Sequence, residues 1–314
     1  MKCSICNSDN TTPLHSLYDD RYGYHGLFNS VKCLSCHHVI IEETFSSDSL
    51  ESLYSVNYPR SLFDVENYRP LEKVVGFKAW LNGAYNSPYQ WVPEKVRILD
   101  IGCGFGQSLG YHRDRGCDVY GVEADKNILR VAEKHDFKVH VGIFNPHIYE
   151  DEYFDYITME QVIEHFDDPV KILKGIRKIL KPGGVVLIST PNSNGWGAKL
   201  FGQKWINWHA PYHLNLFSIK SLKVAVDKSG FTLDYCRTIT NSDWLLYQWL
   251  HLITFPKMGK TSSFWSIGQP KSLLQKILSK LVDILHMTKL NHLVTRFFDS
   301  LGIGDNIFVI LKKL

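Results

Sequence analysis

Nine consecutive residues, Ile98-Leu99-Asp100-Ile101-Gly102-Cys103-Gly104-Phe105-Gly106, carry the most chemical information in the chain. An apolar run ends in a carboxylate, and a glycine-rich turn then opens a helical pattern. Glycine lets the backbone approach a ligand closely, and the first turn of a helix offers free N–H groups. The spacing is Gly-x-Gly-x-Gly, not the Gly-x-Gly-x-x-Gly of dinucleotide sites. Asp100 would repel a pyrophosphate, whereas it suits a cationic ligand. Glu123 ends the next apolar run, about 20 residues on, where an acid takes both hydroxyls of a ribose. Together these residues describe a site for a nucleoside that carries positive charge and a small carboxylate.

Two further groups have chemical spacing. Cys3/Cys6 and Cys33/Cys36 are Cys-x-x-Cys pairs, each placing two sulfurs on one tight turn. Four thiolates close a tetrahedral shell with no open position for water, so structural zinc is expected. A module this small buries too little core to fold alone, and the metal would supply much of its folding energy. His37 and His38 adjoin Cys36, but four cysteines make them unnecessary as ligands. Cys103, Cys117 and Cys236 lie in or beside predicted strands and read as core thiols. The third group is Glu164-His165 together with the segment from Trp205 to Leu214, which holds His209 and His213. Neutral imidazole is the side chain suited to accepting a proton near pH 7.

The rest of the chain must position these groups. Its 314 residues suggest about two domains, and 44% apolar with 21% charged residues excludes disorder, collagen and coiled coil. A net charge of +3 is too mild to imply a nucleic-acid partner. Aromatics gather at Tyr18–Tyr24, Trp80–Trp91 and Trp196–Trp249, which suits either an organic ligand or core packing. Met1-Lys2-Cys3-Ser4 opens no apolar stretch, so no signal peptide is expected, and the longest apolar stretch, Trp244 to Phe255, is too short and too interrupted to span a bilayer. With seven cysteines, the expected compartment is the reducing cytoplasm.

Short apolar strands are predicted at Val96–Ile101, Asp118–Val122, Lys138–Val141, Phe154–Met159, Val185–Ser189, Phe231–Thr238 and Asn306–Leu311. Helices are predicted after Gly106, after Asp125 and after Asp168, and over Ser218–Ser229; Lys181-Pro182-Gly183-Gly184 reads as a turn. The alternation means βαβ units and a parallel sheet. Five segments follow: a zinc-binding module at 1–45, a helical bridge at 46–92 with apolar spacing from Leu71 to Tyr85, a cofactor-binding core at 93–240, a helical insertion at 241–302, and a final core strand at 303–314.

S-adenosylmethionine fits the site described by Asp100, the glycine turn and Glu123. The stretches that carry them resemble the class I S-adenosylmethionine-dependent methyltransferases. Val96–Gly106 is similar to the first motif of that family and Val119–Glu123 to its second. Phe154–Ile157 with Glu160–Phe166 is similar to the fourth, and Ile179–Gly184 with Val185–Pro191 to the fifth. The implied fold is α/β, a Rossmann-like seven-stranded methyltransferase fold, here with a small N-terminal zinc-ribbon-like module and a helical C-terminal insertion before the last strand. By the resemblance, Gly102, Cys103, Gly104 and Gly106 line the amino-acid end of the cofactor, and Asp100 holds that loop or the cofactor's amine. Glu123, with Ala124 beside it, binds the ribose; Ile143 and Phe144 flank adenine; Glu160 and Gln161 border the methionine portion.

The four-cysteine module resembles bacterial methyltransferases of sugar and surface-glycan pathways, which implies a small-molecule or glycan acceptor: a sugar, nucleotide-sugar or lipid-linked sugar. Zinc-carrying RNA methyltransferases and a non-enzymatic cofactor-binding scaffold are the alternatives. Methyl transfer is an in-line displacement that needs alignment and, for a hydroxyl, removal of a proton. His165 follows the fourth strand, and His213 lies in a Pro-x-His segment that closes over the acceptor in similar enzymes. With Glu164 they are the expected catalytic residues. A small-RNA ribose methyltransferase group has a similar Glu-His pair that holds a divalent ion, so Glu164, His165, His213 and His209 are also candidate metal ligands. The apolar stripe Leu273–Leu285 in the insertion, flanked by Lys271, Lys276 and Lys280, packs on the core or across a homodimer, or else rests on a membrane surface.

Overall fold

The computed structural model describes residues 2–42, 65–266 and 269–314. Three antiparallel strands come first: β1 (Thr11–Leu17), β2 (Phe28–Cys33) and β3 (Val39–Ile41). Of the expected bridge, residues 46–64 lie outside the described residues. The remainder is helical in α1 (Gly76–Asn82), with short 3-10 turns at Ala84–Asn86 and Pro88–Trp91. The spacing from Leu71 predicts a longer helix, but the backbone there is committed elsewhere. Leu71 N–H donates to Gln107 O, Val74 N–H to the Gln90 side chain, and Glu72 O accepts from Tyr89 Oη.

The central elements alternate as predicted. They are β4 (Arg97–Ile101), α2 (Gln107–Arg113), β5 (Asp118–Glu123), α3 (Leu129–His135), β6 (Lys138–Val141), β7 (Phe154–Glu160), α4 (Pro169–Ile179) and β8 (Leu180–Pro191). There follow α5 (Trp196–Phe201), β9 (Asn215–Leu216), α6 (Ile219–Ser229), β10 (Thr232–Ile239), α7 (Ser242–Ile253), α8 (Leu273–Met287), α9 (Leu290–Ser300) and β11 (Asn306–Lys312). Seven strands form one sheet in the order β10-β11-β8-β7-β4-β5-β6, with β11 antiparallel to both neighbours and the other core pairs parallel. Local signals set the ends. Asp168 accepts from Lys171 N–H with Pro169 at the first helical position, and Ser218 forms a capping box with Ser221. Residues 181–184 bulge out of β8, so the register jumps from Phe154↔Leu180 to Tyr156↔Val185. Leu99, Ile101, Ile157, Met159, Val186 and Ile188 are buried in the sheet, and α4 packs Leu173, Ile176 and Ile179 against the same core.

The N-terminal segment is stitched to this core. β3 pairs with β9, Ser218 Oγ donates to Cys36 O at 2.9 Å, and Lys228 Nζ donates to Ile5 O at 2.6 Å. Cys3, Ile5, Cys33 and Cys36 lie in the same apolar cluster as Val186 and Phe217. A segment too small to bury its own face uses the core's instead.

His112 on α2 is fully buried, and neither ring nitrogen has a hydrogen-bond partner among the described residues. Burial, with Arg115 nearby, lowers its pKa from 6.5 to about 3. The unfolded chain therefore binds a proton below pH 6.5 that the folded chain refuses until about pH 3, so stability falls as pH drops through that window. The loss amounts to roughly 2 kcal/mol at pH 5. Urea unfolding of the wild type and of His112→Leu at pH 7.5 and pH 5 should show the wild type losing about that much more. Equal losses in the two proteins would refute the assignment.

Candidate functional site

The carboxyl ends of β4, β5, β6 and β7 meet where the strand order turns outward from β4 to either side, the crevice in which open α/β sheets bind ligands. Gly102, Gly104 and Gly106 all have positive φ, at 75°, 56° and 71°. A Cβ at Gly102 would collide with Val162 on the exit of β7, while a Cβ at Gly104 would meet nothing within 4 Å among the described residues. Backbone at Gly104 is thus open to a ligand. Gly102 and Cys103 N–H both donate to Val122 O, which ties the turn to β5.

Asp100 does not reach outward. Its buried carboxylate accepts from Thr158 Oγ1 at 2.7 Å and from Ser108 Oγ, holding β4, β7 and α2 together at the turn. Burial raises its pKa to about 6, and the two hydroxyls hold it down from going higher. Both of its oxygens are thus engaged by side chains of β7 and α2. Glu123, also buried, accepts from Gly104 N–H at 2.9 Å and from Asp125 N–H at 3.0 Å, so its carboxylate lies directly beside the glycine turn. Ala124 is exposed next to it. After β6, Ile143 is exposed, whereas Phe144 is buried and stacks on Tyr149 in the core. Glu160 accepts from Ser87 Oγ at 2.9 Å. Gln161 has φ 57° and donates to Ser189 Oγ and Asn306 Oδ1, both at 3.2 Å. Sequence reasoning missed Asn86 and Ser87, which reach the strand ends from the bridge; Ser189 Oγ donates to Asn86 Oδ1. No motif marks them.

Glu164, His165 and His213 come together. Their ligand atoms all lie within 4.8 Å of one another, and His213 Nε2 is 4.0 Å from Glu164 Oε1. His165 Nδ1 bonds Tyr212 O and His213 Nδ1 bonds Asn207 O, each at 2.8 Å. A carbonyl only accepts, so each Nδ1 carries the proton and each Nε2 keeps its lone pair. Thr190 Oγ1 donates to Glu164 Oε2 at 2.9 Å, while Glu164 Oε1 is buried without a hydrogen-bond partner among the described residues. Burial pushes the Glu164 carboxyl up to about 8. Burial, then the neighbouring His165 and Arg21, holds His213 well below its usual range. A carboxyl pushed up by burial beside the His213 imidazole, which burial holds neutral, is poised to ionise when positive charge arrives. Leu214 N–H donates to Glu164 O, which fixes the histidine segment over the exit of β7. The N-terminal segment adds Tyr22, whose ring meets His209 and Tyr212 edge-on at 5.9 and 5.7 Å. The aromatic run Tyr18–Tyr24 was the sequence signal for it.

Cys3, Cys6, Cys33 and Cys36 form the other cluster, with Cys3–Cys36 sulfurs 3.6 Å apart and Cys6–Cys33 sulfurs 3.5 Å apart. A tetrahedron with bonds of about 2.3 Å puts sulfurs roughly 3.8 Å apart, so the set fits zinc. The two turns match: Asn7 and His37, each following the second cysteine of a pair, adopt φ 64° and 63°. His38 turns away to Asn215 Oδ1.

The family described as Methyltransferase domain matches residues 79–235, half of the chain. The ubiquinone biosynthesis O-methyltransferase of Alkalilimnicola ehrlichii is 34% identical over 108 residues, 32% of this chain and 44% of that protein. Its counterpart in Pseudomonas aeruginosa is 30% identical over 116 residues, 33% of this chain and 50% of that protein. The chain thus spans half or less of the length of these relatives. Among solved structures, phosphoethanolamine N-methyltransferase 2 of Haemonchus contortus superposes with TM-score 0.53 at 21% identity, covering 86% of this chain and 60% of that one. The cyclase SpnF superposes with TM-score 0.51 at 15% identity, covering 85% and 96%. These two likenesses concern the fold, which by itself does not fix a chemistry.

Proposed function

The chain belongs to the class I S-adenosylmethionine-dependent methyltransferases, and from that premise we propose that it transfers a methyl group to a hydroxyl of a small-molecule or glycan acceptor. The observation that carries this reading is the meeting of two groups at one sheet edge: the glycine turn with Glu123, and Glu164 with His165 and His213. Glu123 would take the ribose hydroxyls. Gly102, Cys103, Gly104 and Gly106 would let the methionine portion lie on the turn that Asp100 holds in shape. Ile143 would cover adenine, and Glu160 and Gln161 would border the sulfonium side. His213 Nε2 would receive the acceptor's proton. Glu164, 4.0 Å away, would flank the ring, and His165 would orient the acceptor. Incubating the protein and labelled cofactor with nucleotide sugars, lipid-linked sugars and RNA tests the proposal. Labelled sugar supports it, and label entering RNA alone would replace it with the RNA reading.

One observation favours a second reading of the same residues. Two imidazoles that donate Nδ1–H to main-chain carbonyls, plus a buried carboxyl oxygen without a hydrogen-bond partner among the described residues, are a fitting donor set for a divalent ion. Such an ion would polarise the acceptor hydroxyl. Gln161 is turned to Ser189 and Asn306, so Glu164, His165 and His213 would hold it. Activity lost to a chelator and restored by Mg²⁺ or Mn²⁺ would select this reading; activity untouched by the chelator would leave His213 as a metal-free base.

The four-cysteine cluster is proposed to hold structural zinc. Metal analysis should find about one zinc per chain, and Cys33→Ser should lose it and loosen the 1–45 segment. Because that segment supplies β3 to β9, the histidine segment should loosen with it. Protein purified without chelator that contains no zinc would end this proposal.

A further inference from the structure

The last two helices before β11, α8 and α9, are built inside out. At 3.6 residues per turn, Leu273, Ile277, Leu281, Ile284 and Leu285 share one face of α8, and all of them are exposed, Leu273 by 75%. The side that α8 turns to the protein is polar instead: Ser279 is buried, Gln275 donates to Ile253 O, and His286 lies 3.2 Å from Asp243. α9 repeats the inversion. Asn291, His292, Thr295 and Arg296 are buried, with Thr295 Oγ1 2.9 Å from Ser242 Oγ and Arg296 donating to Trp80 O. Leu290, Leu293, Val294 and Phe297 face outward, Phe297 by 60%. An ordinary surface helix does the reverse. The expectation that the stripe packs on the core is therefore corrected: polar contacts, with Phe298 stacked on Trp196 at 4.4 Å, hold the hairpin in place, and the striped apolar face is presented to the surroundings.

Charge selects what covers that face. Between residues 257 and 301 there are seven lysines and arginines against two aspartates, a formal +5 where the whole chain carries +3. Lys276 and Lys280 are exposed on α8, and Lys289 sits at the turn into α9. A second copy would bring an equally cationic face, which opposes pairing. Anionic lipid headgroups complement it, and an apolar face bordered by lysines is the pattern of a helix lying in a membrane interface. α1, packed against α9, adds exposed Phe77 and Trp80 with ring centroids 5.4 Å apart. Among the described residues no helix is long and apolar enough to cross a bilayer.

We propose that the α8–α9 hairpin docks this protein on the surface of an anionic lipid bilayer. The hairpin is one helix away from the site, since α1 runs into Asn86 and Ser87, which bond Ser189 and Glu160 at the sheet edge. Resting on the methyl-transfer reading, docking narrows the acceptor class to amphiphiles presented by the membrane, such as lipid-linked sugars.

The test is sedimentation of the full chain with vesicles of phosphatidylcholine alone or with about 30% phosphatidylglycerol. Partition should be at least about tenfold stronger on the anionic vesicles and should weaken with salt. Ile277→Glu combined with Leu281→Glu should lower it about tenfold or more, and Lys276→Gln with Lys280→Gln should abolish the preference for anionic lipid. These side chains are exposed, so circular dichroism and S-adenosylmethionine affinity should stay at wild-type values. No partition onto either vesicle by a protein that still binds S-adenosylmethionine would overturn the docking alone; failure to bind the cofactor as well would strike the underlying reading. A soluble dimer that Leu281→Glu splits would overturn the docking and assign the stripe to a second copy.

Discussion

His213→Gln lowers methyl-transfer turnover by about 10²–10⁴-fold and leaves S-adenosylmethionine affinity near the wild-type value. That range is what general-base catalysis typically contributes. His213 suits the role because its Nδ1 proton is engaged by Asn207 O, which fixes the tautomer and leaves Nε2 able to receive a proton. Its buried position keeps the ring neutral before the reaction. Glutamine preserves the bulk and a polar end but cannot take up the proton. His165→Gln, whose ring meets His213 edge-on at 4.7 Å, should cost less turnover and raise KM for the acceptor, as expected of an orienting group. Single-turnover assays with labelled cofactor measure both. Near wild-type turnover in both variants would mean that the acceptor needs no deprotonation and that the protein works by alignment alone.

Glu123→Ala weakens S-adenosylmethionine binding at least tenfold. A charge-assisted hydrogen bond contributes on the order of 1.5–3 kcal/mol, and a ribose offers two hydroxyls to one carboxylate. Glu123 also receives Gly104 N–H, so its removal frees the turn on which the cofactor would lie. Glu123→Gln keeps an acceptor oxygen for that N–H and should recover part of the affinity. Calorimetric titration of the three proteins decides it. Equal affinities would place the nucleoside away from the β5 end.

The core was readable because its signals are local. Ile98 to Gly106 states a buried strand, a turn that needs positive φ and a helix start within nine residues, and Glu123 falls on the adjacent strand end by spacing alone. Asp168-Pro169 and Ser218 mark helix starts for the same reason. The stripe from Leu71 misled because helical spacing says nothing about hydrogen-bond partners contributed by Gln107 and Gln90. The N-terminal segment reads as a separate module, yet β3 finds β9 some 170 residues later and Tyr22 reaches the histidine segment. Such long-range pairings leave no periodic trace. The convergence of Glu164, His165 and His213 followed from assigning each to its strand exit, but the carbonyls that fix both tautomers are tertiary facts. The outward face of α8 is a further case: an amphipathic pattern reveals that a helix has an apolar side and leaves open which way that side points.

The claim on which the account depends is that the glycine turn and Glu123 form the cofactor's seat. A crystal structure of the protein with S-adenosylhomocysteine tests it most directly. Ribose hydroxyls are expected within hydrogen-bond distance of the Glu123 carboxylate, with the amino-acid portion along Gly102–Gly104 and the sulfur turned toward the side of the cleft that holds His213. Nucleoside density at any other place on the sheet edge, with Glu123 still bonded to Gly104 and Asp125, would contradict it.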